Sequence, residues 1–333
     1  MGKSSIAGFA ATARFLTGRK SILKTDPRLV LELAGIKMEN PLIAASGCYG
    51  YGFDYAQWVD PRDWGAITLK GTTLEPRAGN PPPRLVETPS GMLNAVGLQN
   101  PGIAFLLKEV RPQLKYLGCP VIINIAGETM EHYQELASIL DGVEEVNAVE
   151  VNISCPNVRC GGISFGRDPT VVGELVEAVR QAYRGPLIVK LSSETGDMVA
   201  VARAAEDAGA DVLSLINTIK GMVIDTHSHR PFLGNITGGL SGPAIRPVAV
   251  RAVWEVAEAV SIPLIGMGGI ISADDALQFI LAGATAVAVG TANFINPYIA
   301  REIVLGLQNY LDQKGLGHYG ELIGAANKKS DRG

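Results

Sequence analysis

Short apolar runs and amphipathic stretches alternate along most of this chain. The runs at 42–45, 66–69, 121–125, 148–153, 187–191, 212–216, 264–266 and 286–289 are too short for helices and rich in aliphatic residues, so each predicts a buried strand. Apolar positions at helical spacing follow most of them, clearest at 102–117, 129–140, 168–183, 197–208, 244–260, 272–281 and 297–314. Asp168-Pro169 and the stretch from Ser272 to Asp275 read as helix starts. Eight strands, each followed by a helix or a long excursion, predict an α/β chain folded as a parallel (β/α)8 barrel, the TIM barrel, rather than an open doubly wound sheet. No GxGxxG follows the first strand, which removes the simplest dinucleotide-binding alternative. Ahead of the barrel, residues 29–40 alternate about a glycine and predict a small N-terminal hairpin. The expected organisation is a basic extension over 1–28 and a single barrel domain over 29–333.

The fourth run changes character at its end. After Val149, Val151 and Ile153, the residues Asn152, Ser154, Cys155 and Asn157 bring amides, a hydroxyl and a thiol to one strand terminus. Pro156 stops the strand and disfavours helical geometry at Cys155, which holds the thiol at a turn. A lone cysteine beside a strand is more often packing than chemistry. Two carboxamides within three positions are not what packing requires. Two connections are also far longer than a barrel needs, 71–101 after the second strand and 217–240 after the sixth. Loops of that length in a compact domain are usually functional, and both leave the end of the barrel where Cys155 sits.

Composition narrows the class. A net charge of −4 without a Lys/Arg cluster gives no nucleic-acid footprint. The four cysteines, 48, 119, 155 and 160, form no CxxC pair, and four scattered histidines offer no metal constellation, so no metal site is expected. A cytoplasmic enzyme is the expectation. Residues 1–25 carry Lys3, Arg14, Arg19, Lys20 and Lys24 and no acid, and their apolar stretch is too short and broken to span a bilayer. Ser4 or Ser5 as cap, with Ile6, Phe9, Ala10, Ala13 and Leu16 on one side, predicts a short amphipathic helix there.

The strand ends supply a consistent inventory: Ser46 and Gly47, Lys70, Asn124, Asn152 with Cys155, Lys190, Asn217 with Thr218, Gly268-Gly269, and Gly290-Thr291. Glycines after strands seven and eight suit a backbone phosphate cradle, to which 239–242 could add N–H donors; tight turns alone are the plainer reading. Lys70 and Lys190 end interior strands, where a cation either pairs with a carboxylate of the barrel or faces an anion. Two lysines, several carboxamides and a phosphate cradle describe a site for a phosphorylated, electron-rich cofactor and a small anionic substrate.

Those motifs resemble the dihydroorotate dehydrogenases, FMN-dependent barrels of pyrimidine biosynthesis, and within them the class 1B catalytic subunit. The resemblance rests on Asn40-Pro-Leu-Ile-Ala-Ala-Ser-Gly47, Thr68-Leu-Lys-Gly-Thr-Thr73, Asn94-Ala-Val-Gly-Leu-Gln-Asn100, Asn152-Ile-Ser-Cys-Pro-Asn157, Gly161-Gly162 with Phe165-Gly166, Asn217-Thr218, Gly238-Gly-Leu-Ser-Gly-Pro243 and Gly266-Met-Gly-Gly-Ile270. It implies that Cys155 is the base taking a proton from C5 of dihydroorotate while hydride leaves C6 for the flavin. It implies one FMN per chain, held by Ser46, Lys70, Gly71, Asn124, Asn152, Lys190, Ile216, Gly242, Gly268, Gly269, Gly290 and Thr291. Dihydroorotate or orotate would be held by Lys70, Asn94, Ala95, Val96, Gly97, Leu98, Asn152, Asn217 and Thr218. Class 1B further implies a partner subunit carrying FAD and a [2Fe–2S] cluster that passes electrons to NAD+, with a homodimer of this chain inside a heterotetramer. Class 2 members place Ser where this chain has Cys155. The alternatives are a class 1A-like fumarate-dependent enzyme, another FMN barrel acting on a reduced pyrimidine, and a Schiff-base lyase or aldolase using Lys70 or Lys190.

Overall fold

The computed structural model describes residues 23–153, 159–160, 163–164, 166–192 and 194–327. The eight apolar runs become strands β1 (Leu42–Ala44), β2 (Ala66–Thr72), β3 (Val121–Ile125), β4 (Ala148–Asn152), β5 (Leu187–Lys190), β6 (Val212–Leu215), β7 (Leu264–Met267) and β8 (Ala286–Val289). Neighbours pair in parallel, and β8 returns to β1 with Val287 opposite Leu42 and Val289 opposite Ala44, so the sheet closes into the expected barrel. Helices α2 (Met130–Leu140), α3 (Pro169–Ala182), α4 (Met198–Asp207), α5 (Arg246–Ala257), α6 (Ala273–Ala282) and α7 (Ile299–Lys314) follow from β3 onward, after a first helix, α1, built from Ile103–Phe105, Leu106–Val110 and Arg111–Leu114. The middle piece of α1 is wound wider than an α-helix. Pro112 lies just beyond it, with no N–H to donate back to the preceding turn. Side chains cap the starts: Thr129 accepts from the His132 amide, Asp168 from Thr170, Asp197 from Ala200 and Ser272 from Asp275. Between β1 and β2 turns and a single 3-10 turn (Pro61–Asp63) replace a helix, and Tyr49 and Trp64 fill that space edge to face at 5.7 Å.

The pleat assigns every strand residue to one of two layers. Leu42, Ile67, Ile123, Val149, Val151, Leu187, Val189, Leu213 and Val287 point outward into the core shared with the helices. Ile43, Ala66, Ile122, Ala148, Ile188, Val212, Ile265 and Ala286 point inward and form a second, separate cluster. The hairpin expected over 29–40 pairs Leu31–Leu33 with Ile36–Met38. It turns at Ala34 (φ 48°) and Gly35 (φ 86°), both left-handed, as a two-residue hairpin loop requires. Its Leu33, Ile36 and Met38 join the inner cluster and plug the amino-terminal mouth. Leu23 packs against the outer core, and Arg28 reaches Asp312 on α7 at 2.7 Å. The amphipathic helix expected around Ile6–Leu16 lies outside the described residues. Among those described, no helix is long and apolar enough to cross a membrane.

The two long loops meet. Leu85–Thr88 and Gly91–Asn94 from the first pair with Gly238–Ser241 and Ile219–Gly221 from the second in one antiparallel sheet, ordered 219–221, 238–241, 91–94, 85–88. This canopy stands over the carboxyl mouth.

Leu33 is fully buried in the plug. Leu33→Ala should therefore lower the unfolding free energy by about 2–5 kcal/mol. Denaturant titration measures this; a loss below about 1 kcal/mol would mean that the hairpin does not seal the barrel.

Candidate active site

Halfway up the barrel the inner layer turns polar. Thr68, Asn124, Glu150, Asn152, Lys190 and Ser214 are all buried, one or two inward steps above the apolar cluster. A polar group removed from water seeks a partner, and most of these find one in the barrel or just past a strand end. Asn124 Nδ2 donates to Glu150 Oε2 at 2.6 Å, and Ser214 Oγ donates to Glu150 Oε1 at 2.8 Å. Lys190 Nζ donates to Ser46 Oγ at 3.4 Å, which joins the ends of β5 and β1. Asn217 Nδ2 donates to Asn152 Oδ1 at 3.4 Å, and the Tyr133 hydroxyl on α2 donates to the Asn152 carbonyl at 2.8 Å. Strand four is thereby tied on both sides at its last residue.

Lys70 continues the inward parity of Ala66 and Thr68, and the β2–β3 ladder shifts register between Leu69 and Thr72, which places Lys70 and Gly71 on a bulge. Burial lowers the Lys70 pKa, and the Arg84 charge pushes the same way while Asp54 opposes it. Gly71 leaves no room for a side chain, since a Cβ there would stand 2.9 Å from Asn124 Oδ1 and 3.3 Å from Leu98 Cδ2. Cys48 lies beside Gly290, whose Cβ would stand 3.3 Å from its sulfur. Burial raises the Cys48 pKa to about 11, and the Lys190 charge opposes that rise.

The canopy brings the other residues expected to hold the substrate to the same mouth. Asn94 pairs with Gly239 across the sheet, and its Nδ2 donates to the Gly239 carbonyl at 3.3 Å. Ala95 is buried, and Val96, Gly97 and Leu98 are partly exposed on the return to α1, with Gly97 at φ 73° and Leu98 at φ 53°. The Thr218 amide donates to Asn217 Oδ1 at 2.8 Å. Gly239 lies against Thr218 so closely that a Cβ would fall 2.0 Å from Oγ1. Ile216, just past β6, is buried.

The glycines expected after strands seven and eight converge with a third. A Cβ on Gly269 would lie 2.6 Å from the Gly242 carbonyl oxygen, and both residues have positive φ, 75° and 94°. Gly268, at φ 135°, packs against Ala249 and Ile245 of the α5 region. Thr291 Oγ1 donates to Ser241 Oγ at 2.7 Å, which draws Gly290-Thr291 to the same place. Backbone turns after β7, after β8 and before α5 thus lie close together, and their glycines bring no side chain there.

Cys155, with Ser154, Pro156 and Asn157, lies outside the described residues, as do Gly161, Gly162 and Phe165. The chain is described to Ile153 and again where Arg159–Cys160 pairs with Ile163–Ser164. Two inner residues escaped the reading of strand ends, Glu150 and Ser214. Each interrupts an apolar run at an alternate position, and Glu150 shares its parity with Asn152. That shared parity was the available signal.

Among the described residues, no group of three or more His, Cys, Asp and Glu is placed to hold a metal ion. Comparison with known proteins is consistent in direction. The family described as "Dihydroorotate dehydrogenase" matches residues 28–311. A protein of Geotalea uraniireducens named "Dihydroorotate dehydrogenase B (NAD(+)), catalytic subunit" is 56% identical over 299 residues, covering 90% of this chain and 98% of its own. Proteins of the same name from Desulforudis audaxviator and Geobacillus kaustophilus are 54% and 53% identical, each over 90% of this chain and over 98% and 96% of their own lengths. The chain belongs to the dihydroorotate dehydrogenase family.

Proposed function

We infer that this chain oxidises dihydroorotate to orotate, as the catalytic subunit of an NAD+-linked dihydroorotate dehydrogenase of pyrimidine biosynthesis. The observation that carries this reading is likeness above 50% identity, over 90% of the chain, to catalytic subunits named for that enzyme. The mouth of the barrel supports FMN as the cofactor. A concavity of backbone turns at Gly242, Gly268-Gly269 and Gly290-Thr291 fits a phosphate that is recognised by N–H groups. Buried Asn124 keeps an oxygen without a partner among the described residues beside Gly71, as a ring bearing N–H groups would need. Ser46, Lys70, Gly71, Asn152, Lys190 and Ile216 complete the set that would hold it.

FMN, when bound, supplies the acceptor for the hydride that leaves C6 of the substrate. The chain supplies the rest. Lys70 offers a cation to the substrate carboxylate. Asn94, Asn152, Asn217 and Thr218, with the backbone of Ala95, Val96, Gly97 and Leu98, offer both donors and acceptors to the ring amides. The Cys155 sulfur takes the C5 proton, a task for which a thiol with an ordinary value near 8.5 needs no metal. Lys190 holds positive charge where the cofactor gains negative charge.

The partner carries FAD and a [2Fe–2S] cluster, and the proposed assembly is a homodimer of this chain bearing two such partners. A reducing, cytoplasmic compartment suits a thiol base and the free thiols of Cys48 and Cys119.

Anaerobic addition of dihydroorotate to the purified chain should bleach its visible flavin band. A yellow protein that does not bleach would keep the cofactor and remove the substrate; a protein that holds no flavin would return a Schiff-base lyase to the front. NAD+ should reoxidise the bleached protein only with the partner present, whereas reoxidation by fumarate without it would mark a class 1A-like acceptor. Cys155→Ala should cut turnover by about 10²–10⁴-fold with flavin content unchanged, and unchanged turnover would sink the assignment of the base. Gly269→Ala should weaken FMN binding by at least about tenfold, because a methyl there enters the cradle at an unfavourable φ. Full flavin retention would place the phosphate elsewhere.

A further inference from the structure

The reaction outlined above makes no use of Glu150, yet this carboxylate is only 3% exposed at the centre of the barrel. It stands opposite Asn124 across the β3–β4 ladder, one inward step below Asn152. Its two oxygens take one neutral donor each, from Asn124 Nδ2 at 2.6 Å and Ser214 Oγ at 2.8 Å. No lysine or arginine forms an ion pair with it among the described residues. A carboxylate buried without a cation is costly to keep, and a glutamine of the same shape would fill the same space. An ionised glutamate differs from glutamine in one respect that matters here: both of its oxygens only accept.

A carboxamide is nearly symmetric in shape and can present either end. Against an acceptor-only neighbour it has one choice. The Asn124 nitrogen must face Glu150, and its oxygen must face the other way. That oxygen is buried, has no hydrogen-bond partner among the described residues, and lies over Gly71 near the end of β2. We propose that Glu150 is a positioning residue that locks the Asn124 amide with its oxygen toward the cofactor site, so that the barrel presents an acceptor and rejects a ring offering an acceptor there. The inference rests on the FMN reading above and concerns how that site chooses its ligand.

FMN release from the purified holoprotein, followed by recovery of free-flavin fluorescence on dilution, tests it. Glu150→Leu removes the acceptor and should weaken FMN binding by about tenfold or more, the scale of one misdirected hydrogen bond. Glu150→Gln can face Asn124 with either end, so about half the molecules keep the correct amide and the loss should be only about twofold. In an Asn124→Ala background, Glu150→Leu should cost nothing further. A purely structural carboxylate would give the opposite pattern, with Gln failing like Leu or with the Leu penalty surviving in the Asn124→Ala protein; either result overturns the proposal. Should Glu150→Leu not fold, Glu150→Asp withdraws the acceptor by one methylene and should speed release, while wild-type behaviour of that variant counts against the lock. Wild-type protein that holds no FMN would fell the functional reading itself. Wild-type protein that holds FMN, with Glu150→Leu holding it equally well, fells this inference alone.

Discussion

Everything in this chain depends on the closure of an eight-stranded parallel sheet whose side chains alternate strictly in and out. Closure leaves no edge and makes the inside of the barrel a space that water does not reach. Outward positions need only be apolar, because helices cover them, and Val149, Val151, Leu187 and Val189 oblige. Inward positions face a choice between filling that space and using it. The lower half fills it, with aliphatic side chains and a hairpin as stopper. The upper half uses it, at the cost of burying an ammonium, a carboxylate and two carboxamides.

The cost is bearable because the polar residues form short, closed exchanges. Glu150 answers Asn124 and Ser214, Lys190 answers Ser46, and Asn217 answers Asn152. Each exchange links one strand to another strand or to the residues just past its end, so the hydrogen bonds that satisfy the groups also fix their directions. A site built on strands inherits the rigidity of the sheet, which is the requirement for a constellation held to a few tenths of an ångström. The β2–β3 ladder departs from regular pairing at the Lys70–Gly71 bulge, close to the mouth.

Much of this was legible beforehand, for a physical reason. Parallel strands covered on both faces read as short apolar runs, and the runs at 121–125, 187–191 and 286–289 met their strands within a residue. The polar layer at the strand ends was legible because Lys70, Asn124, Asn152 and Lys190 close apolar runs with groups that burial penalises. Glu150 was not, because one acid inside an apolar run looks like noise until its parity with Asn152 is noticed. The bulge was not, since nothing in Leu-Lys-Gly-Thr marks where the β2–β3 register shifts. The canopy was hidden for a third reason: Leu93 and Leu240 meet across a sheet from loops separated by four barrel strands. Local patterns carry no trace of that meeting.

That sheet has a consequence for how the molecule can change over time. Asn94 and Gly239 are 145 residues apart, and the barrel alone brings them within hydrogen-bonding distance. The entropy of closing so long a loop is met by the barrel strands between them, so the canopy has no independent existence as a module. Neither loop carries its half of the canopy by itself. A loop transplanted singly into another barrel would arrive with unpaired strand edges. The two are heritable only as a pair, so new specificity at this mouth has to come through matched changes in segments that the sequence keeps far apart.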